Sequence, residues 1–275
     1  MPLLSVENLR VYFDTDFGVV KAVDGITYHI EENEIVGLVG ESGCGKSVSQ
    51  LATLQLIPSP PGRIVEGKIF FEGKNILEFP PAGAEMCKIR GRKISMIFQE
   101  PMTSLNPSLT VGKQVMEMMI LHLNMKESEA RKKAVELLKL VGIPDPERRI
   151  DDYPHQFSGG MRQRVMIAMA ISCNPKIIIA DEPTTAVDVT VQAQLLELLT
   201  DVVKRHRSSL ILVTHNLGVI ARYAHRVYVM YAGRIIESAP CKEIFGNPLH
   251  PYTKALLRSV PRIDEPPGKI LEPID

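Results

Sequence analysis

A glycine-rich segment, Gly40-Glu-Ser-Gly-Cys-Gly-Lys46-Ser47, has the residue types that are needed to hold a chain of phosphates. It fits the pattern GxxxxGK[ST] and lies between an apolar run that ends at Val39 and a stretch with helical periodicity. Glycines let successive backbone N–H groups curl around phosphate oxygens, and the N-terminus of the next helix adds partial positive charge. We therefore expect Lys46 to reach the β- and γ-phosphates and Ser47 to ligate Mg²⁺. We call residues 40–47 the phosphate loop; a plain glycine-rich turn is the alternative.

Two adjacent carboxylates, Asp181 and Glu182, end another apolar run, residues 177–180. Two anions at the end of a buried strand are costly unless something there needs negative charge. With a phosphate loop on the same sheet, Asp181 suits the shell of a metal ion and Glu182 suits an attacking water. A solvated strand end is the alternative, and it is less common for an Asp-Glu-Pro terminus than for a single aspartate.

A second possible anion site begins at Ser158-Gly159-Gly160, before a helical stretch over residues 162–172. Ser158 is a good N-cap, and the two glycines leave the start of the helix open to an anion. Taken alone, the segment is more often a simple capped helix. Two phosphate-binding helix starts are one more than a single nucleotide needs, which suggests that one of them serves a second molecule.

Two further polar residues follow apolar runs, Gln99 after residues 94–98 and His215 after residues 210–214. The position of His215 matches that of the Asp181-Glu182 pair at a strand end. A lone histidine is more often structural than catalytic, and Gln99 is ambiguous in isolation.

The strands and helices that must position these residues are predicted to form an α/β fold. Short, nearly continuous apolar runs suit parallel strands that are covered on both faces, and a helical pattern over residues 191–203 lies among them. Most of the N-terminal third is predicted to form strands, because residues 4–13 alternate apolar and polar side chains and turns that contain Gly and Pro separate the strands that follow. The predicted buried strands are residues 34–39, 176–180, 210–214 and 226–231, and the predicted N-terminal strands are 4–13, 19–30 and 68–71.

Residues 110–172 contain no buried-strand run and have helical periodicity over 111–123 and 128–141. We interpret this block as a helical insertion into the α/β core. The last stretch, residues 247–275, is rich in proline and has one short helical piece at 252–260. It reads as a tail or the start of a further element.

Composition weighs against a nucleic-acid-binding function without excluding a local basic patch. Thirty-two Lys and Arg balance thirty-two Asp and Glu, so the overall charge does not favour nucleic acid. The four cysteines form no CxxC motif and suit a reducing compartment. Neither a secretory signal nor a membrane-spanning stretch is recognisable, so we expect a soluble, cytoplasmic protein that reaches a membrane only through a partner.

Taken together, these motifs resemble those of ABC-transporter ATPase subunits. GESGCGKS, Gln99, FSGGMRQR, IIIADEP, Asp188 and His215 occur in that family's order and spacing, over roughly residues 4–240. MIFQEPMTSLNP (96–107) and NPLHPYTKALLRSVP (247–261) resemble the branch that energises dipeptide, oligopeptide and nickel importers.

The resemblance implies a single ABC ATPase cassette over residues 1–275. Its fold would be a P-loop NTPase core with a mostly parallel sheet, an N-terminal antiparallel β subdomain and an inserted α-helical subdomain. Residues 1–98 and 173–246 would form the core, 99–172 the helical subdomain with the signature motif, and 247–275 a C-terminal extension.

The resemblance also implies a role for each site residue. Phe13 would stack on adenine, with Tyr12 as the competing candidate, and Glu182 would polarise the attacking water. His215 would contact the γ-phosphate and link it to Glu182. The residues that would bind the ATP phosphates are Ser42, Gly43, Cys44, Gly45, Lys46, Ser47 and Val48. Mg²⁺ would be held by Ser47, Gln99 and Asp181. The ATP of a partner ATPase would be bound by Ser158, Gly159 and Gly160, and the loop that holds Asp188 would cross the dimer interface.

The implied partners are a second ABC ATPase, two membrane-spanning permease subunits and an extracytoplasmic solute-binding protein. The second ATPase would be a paralogue or a second copy, and the helical insertion would dock a coupling helix of a permease. The implied location is the cytoplasmic face of the cell membrane, as a peripheral subunit. Import of nickel or another small solute, a soluble ABC ATPase of DNA repair or translation, and a regulatory subunit that does not hydrolyse ATP are the alternatives.

Three features depart from the family pattern. Val187 replaces the usual Leu, a change that we expect to be harmless. Cys44 replaces the commoner Ser and is expected to make the phosphate loop sensitive to thiol reagents. Many members of this branch continue past the position of Asp275 into a Cys-rich segment that can bind an iron–sulfur cluster, so either this chain is truncated or this member does without the segment. Cys87, Cys173 and Cys241 offer no substitute spacing, and we expect no cluster in this chain.

Overall fold

The computed structural model describes residues 1–184 and 189–259, so Val187, Asp188 and residues 260–275 lie outside the described residues. The chain divides into two compact units. The first comprises Met1–Glu78 and the chain from Ile211 onward, and the second comprises Phe79–Leu210. None of the helices in the described parts of the chain has the length and apolar character that a bilayer span requires.

The bounds of the elements are as follows. The strands are β1 (Leu4–Thr15), β2 (Gly18–Ile30), β3 (Ile35–Val39), β4 (Gly62–Phe71), β5 (Lys74–Asn75), β6 (Ile94–Ile97), β7 (Ile177–Asp181), β8 (Ser209–Val213), β9 (Arg226–Tyr231) and β10 (Arg234–Pro240). The helices are α1 (Lys46–Thr53), α2 (Ala84–Ile89), α3 (Pro101–Ser104), α4 (Val111–Leu123), α5 (Glu127–Leu140), α6 (Pro146–Arg149), α7 (Gly159–Ile171), α8 (Val189–His206), α9 (Leu217–Tyr223), α10 (Cys241–Gly246) and α11 (Pro251–Arg258).

The first unit contains two sets of paired strands, an antiparallel sheet and a second sheet. The antiparallel sheet has the strand order β2-β1-β4-β5 and contains the N-terminal strands that the sequence predicts. In the second sheet, β3 pairs with β9 in parallel, and β10 closes the edge antiparallel to β9. All five residues of β3 are buried, as expected for an apolar strand that is covered on both faces.

The second unit combines a parallel strand pair with a group of helices. β6 and β7 pair in parallel, with Ile94 opposite Ile177, and every residue of β7 is buried. Helices α4, α5 and α7 pack against one another. The prediction for α4 is confirmed at both ends: Thr110 caps its start by accepting a hydrogen bond from the backbone of Lys113.

The predicted start of β4 at Lys68 is wrong, because the strand begins at Gly62. A bulge interrupts its alternation at Gly67, which has a φ of +120° and where a Cβ would lie 2.6 Å from Cα of Leu9. β4 therefore pairs with β1 on both sides of the bulge, and the bulge breaks the alternation of apolar and polar residues by which a strand is recognised in the sequence. β10 was not predicted, since its residues are mostly half-exposed and carry no alternation.

Candidate nucleotide-binding site

Two positions of the phosphate loop require glycine because the backbone of another segment lies close to them. Gly40, directly after β3, has a φ of +152°, and a Cβ there would lie 2.1 Å from the carbonyl oxygen of Met230. Gly45, directly before α1, has a φ of +102°, and a Cβ there would lie 2.1 Å from the carbonyl oxygen of Ala22. Only glycine fits either position without a shift of the neighbouring backbone.

Lys46 is the first residue of α1 and is only 5% exposed. Its ammonium donates hydrogen bonds to the carbonyl oxygens of Gly40 and Glu41, each at 2.8 Å. The charge is thus satisfied by the loop itself and lies beside the helix start. Gly45 serves as N-cap and provides no side chain to cap the first turn of α1, which leaves that turn suited to an anion. The loop therefore fits a phosphate chain.

Cys44 lies inside this loop and is only 7% exposed. Burial raises the pKa of its thiol, although the nearby Lys46 ammonium opposes that shift. The backbone N–H of Gly233 donates to the carbonyl oxygen of Cys44 at 3.0 Å and fixes the loop from the β9–β10 turn. Because the thiolate is the reactive form, this environment argues against the expected sensitivity of Cys44 to thiol reagents.

The acidic pair lies in the second unit, at the end of β7. Asp181 is buried, at 5% exposure, and Glu182 has a φ of +44°, a strained backbone conformation for a residue with a side chain. The side-chain amide of Gln99, which follows β6, donates to Oε2 of Glu182 at 3.0 Å. The parallel pairing of β6 with β7 thus brings Gln99 and Glu182 together. Carboxylate and amide oxygens are ligands that Mg²⁺ accepts, so the donor set fits this ion.

The segment around Ser158 has the predicted capped-helix geometry. Helix α7 begins at Gly159, and the Ser158 hydroxyl accepts a hydrogen bond from the backbone of Met161 at 3.3 Å. Arg162 donates to the carbonyl oxygen of Pro154 at 2.7 Å and ties the helix to the turn before it. Ser158 itself is exposed, and Gly159 and Gly160 form the first positions of the helix.

His215 is exposed directly after β8, in the first unit with the phosphate loop. The backbone of Thr214 donates to the carbonyl oxygen of Leu38 at 3.2 Å, which holds this strand end beside β3. Asn216 caps α9 by accepting a hydrogen bond from Val219 at 3.3 Å. Gln99, Asp181, Glu182 and Ser158 belong to the second unit.

The two aromatic candidates on β1 have different surroundings. Tyr12 donates its hydroxyl to Asp24 at 2.8 Å, and the ammonium of Lys21 lies 5.7 Å from the centre of its ring. Phe13 is half-buried, and its ring approaches Gly62 so closely that a Cβ there would lie 2.8 Å from Cε1 of Phe13.

Sequence reasoning missed the ionic network in which Tyr12 takes part. Asp24 accepts hydrogen bonds from Tyr12 and from Arg234, the latter at 2.7 Å, and also from Arg10. These hydrogen bonds and the charges of the two arginines lower the pKa of Asp24 from 3.8 to about 2, against the opposing effect of desolvation. No local motif signals it, because its members come from β1, β2 and β10.

The comparisons with known proteins decide the family. Residues 23–185 match the family described as ABC transporter. The chain belongs to the ATP-binding subunits of ABC transporters. Residues 236–274 of this ABC ATPase also match the C-terminal region of oligopeptide/dipeptide transporters.

Relatives and solved structures agree with this placement. The chain is 53% identical over 262 residues to the oligopeptide transport ATP-binding protein AppD of Bacillus subtilis, covering 95% of this chain and 79% of AppD. It is 50% identical over 261 residues to the dipeptide transport ATP-binding protein DppD of Escherichia coli K12, with 95% and 79% covered. The dimeric bacterial ABC transporter cassette MJ0796 superposes with a TM-score of 0.76 at 28% identity, covering 86% of this chain and 98% of that one.

The same cassette has been solved as a dimer in a post-hydrolysis state with ADP and Pi, at 27% identity to this chain and with a TM-score of 0.76. The predicted family and the α/β P-loop NTPase fold are therefore confirmed. This ABC ATPase binds ATP and hydrolyses it.

Proposed function

We propose that this chain is the ATP-hydrolysing subunit of an ABC importer for dipeptides or oligopeptides. The observation that carries the peptide assignment is the match of residues 236–274 to the C-terminal region of oligopeptide/dipeptide transporters. Relatives named for peptide transport, at about half identity over nearly the whole chain, support it.

In this proposal residues 42–48, from the phosphate loop and the start of α1, hold the ATP phosphates. The Lys46 ammonium contacts the β- and γ-phosphates, for which its buried position at the start of α1 is well suited. Phe13 stacks on adenine. Tyr12 is the weaker candidate for stacking, because Asp24 already binds its hydroxyl and Lys21 lies over its ring.

Ser47, Gln99 and Asp181 are the proposed ligands of Mg²⁺, which when bound neutralises charge on the phosphate oxygens. Glu182 polarises a water for attack on the γ-phosphorus; the bond to the β-phosphate oxygen breaks and ADP leaves. The hydrogen bond from Gln99 to Glu182 would keep the carboxylate in position for this step. His215 contacts the γ-phosphate and links it to Glu182.

Two such subunits face each other in the proposed mechanism. The helix start at Ser158, Gly159 and Gly160 binds the ATP held by the partner cassette, which is a paralogue or a second copy. The loop with Asp188 crosses the interface. ATP shifts the dimer towards its closed state because that state contacts the nucleotide from both sides and the open state from one. Loss of the γ-phosphate removes this preference, and the dimer opens.

The helical subdomain, residues 99–172, would dock a coupling helix from one of two permease subunits. Several large apolar side chains in this interval are exposed, among them Met102 at 63% and Leu121 at 67%. Docking of the coupling helix would cover apolar side chains of this kind. The chain would then lie on the cytoplasmic face of the membrane, with an extracytoplasmic protein delivering the peptide to the permease.

The catalytic assignment is tested with Glu182→Gln, which keeps the shape of the side chain and removes its charge. We expect ATP turnover to fall by about 10² or more, the range in which general-base groups contribute, while ATP affinity is retained. Glu129→Gln, on the exposed surface of α5, is the matched control and should hydrolyse ATP at the normal rate. A normal rate for Glu182→Gln would show that another group activates the water.

A further inference from the structure

The C-terminal helix α11 contacts the phosphate loop directly. The backbone N–H of Glu41 donates a hydrogen bond to the hydroxyl oxygen of Tyr252, with N and O 3.3 Å apart. Tyr252 is only 7% exposed, and both residues lie in the first unit. The proposed mechanism assigns no role to Tyr252.

Several contacts fix the position of the Tyr252 hydroxyl. The ring packs against the ring of Tyr231 at the end of β9, with centroids 4.5 Å apart. Nδ1 of His250 accepts a hydrogen bond from the Tyr252 backbone at 3.1 Å and caps α11. Glu237 on β10 accepts hydrogen bonds from the backbone of Leu249 at 2.7 Å and of His250 at 3.1 Å. The start of α11 is thus held on a strand of the core.

The contact acts on the peptide unit that also binds Lys46. The N–H of Glu41 and the C=O of Gly40 belong to one planar trans peptide, so the two groups point in opposite directions. Tyr252 accepts from the N–H, and the Lys46 ammonium donates to the C=O at 2.8 Å. A peptide held at its N–H cannot rotate freely, and the direction of its carbonyl oxygen towards Lys46 is fixed with it.

We propose that Tyr252 is a positioning residue for Lys46, through which the C-terminal segment sets the affinity of the phosphate loop for ATP. The inference rests on the proposed function, in which Lys46 contacts the β- and γ-phosphates. Burial raises the pKa of the Tyr252 hydroxyl, so the group stays protonated and accepts from the loop through a lone pair of its neutral oxygen.

The test is Tyr252→Phe in the full chain, which removes the hydroxyl and keeps the ring on Tyr231. We expect the KM for ATP and the Kd of a fluorescent ATP analogue to rise about 2- to 10-fold, as for the loss of one net hydrogen bond, with kcat within about twofold. Tyr231→Phe is the matched control: it removes a hydroxyl from the other ring of the pair, and should leave KM, Kd and kcat unchanged.

A merely structural role predicts the reverse pattern, in which a smaller folded fraction lowers the apparent kcat while KM stays constant. That pattern, or a wild-type KM and Kd for Tyr252→Phe, would overturn the inference. If Tyr252→Phe does not fold, Glu237→Gln loosens the same helix start and should raise KM in the same direction; an unchanged KM there counts against the proposal. An absence of ATP turnover in the wild-type chain would contradict the proposed function instead, and the ratio of analogue affinities would still decide the role of Tyr252.

Discussion

Gly45→Ala is the substitution whose cost follows most directly from the structure. The new methyl group would lie 2.1 Å from the carbonyl oxygen of Ala22, whereas ordinary contact begins at 3.4 Å, so the backbones must separate by 3.4 − 2.1 = 1.3 Å. An L-residue in the left-handed region costs about 1–2 kcal/mol, and forced overpacking costs about 1–3 kcal/mol more. Alanine has fewer conformations than glycine in the unfolded chain, which stabilises the folded protein by about 0.4–1 kcal/mol. We expect a net loss of about 1–4.5 kcal/mol in the free energy of unfolding.

Two other glycines serve as controls for the cost of placing an L-residue in the left-handed conformation, without a close contact. Gly73 has a φ of +76° and Gly43 a φ of +81°, and at neither would a Cβ meet any atom within 4 Å. Gly73→Ala, remote from the loop, and Gly43→Ala, within it, should each cost between zero and about 1.5 kcal/mol. The comparison therefore separates the cost of the close approach to Ala22 from the cost of the left-handed conformation.

The assay is thermal unfolding without nucleotide, followed by titration with an ATP analogue. A difference of about 1–3 kcal/mol places the unfolding midpoint of Gly45→Ala about 2–10 °C below that of either control. We also expect weaker nucleotide binding, because the shift moves the start of α1. Equal midpoints for Gly45→Ala and Gly73→Ala would refute the reasoning from the Ala22 contact.

Three further predictions concern other parts of the molecule. The folded pKa of Asp24, about 2, lies below its ordinary 3.8, so its contribution to stability is present above pH 3.8 and is lost as pH falls towards 2; acid unfolding of Asp24→Asn should lack this component. Alkylation followed by peptide mass spectrometry should label exposed Cys87 well before buried Cys44, and rapid labelling of Cys44 would contradict the described loop. Ser158→Ala should lose about 1 kcal/mol of stability with the α7 cap, and Ser158→Asn, which can still cap, should recover most of it in thermal unfolding.

Features that depend on neighbours in sequence could be predicted from the sequence. The phosphate loop is a contiguous motif, and α4 has a capping threonine and a continuous helical period. β3 and the first four residues of β7 are uninterrupted apolar runs. Each is determined by residues within one or two turns or one strand. The predicted start of β4 was wrong because the prediction also depended on local pattern, and the bulge at Gly67 breaks the alternation there.

Contacts between distant segments could not be predicted from pattern alone. Gln99 and Glu182 are 83 positions apart, and Glu41 and Tyr252 are 211 positions apart. The first pair meets because β6 and β7 are parallel neighbours, and the second because Glu237 holds the start of α11 on β10. The sequence did contain a signal for Tyr252, the HPYT segment, but only as a mark of the transporter branch.

The most direct test of the proposed function is to capture the tagged chain from detergent-solubilised membranes of its own source and to identify its partners by mass spectrometry. We predict recovery of two multi-span proteins together with an ABC ATPase, either a paralogue or untagged copies of this chain. A peptide-binding protein that stimulates ATP hydrolysis by the captured complex would then establish the substrate class. Recovery from the soluble fraction alone, with no multi-span partner, would contradict the importer assignment and favour a soluble ABC ATPase.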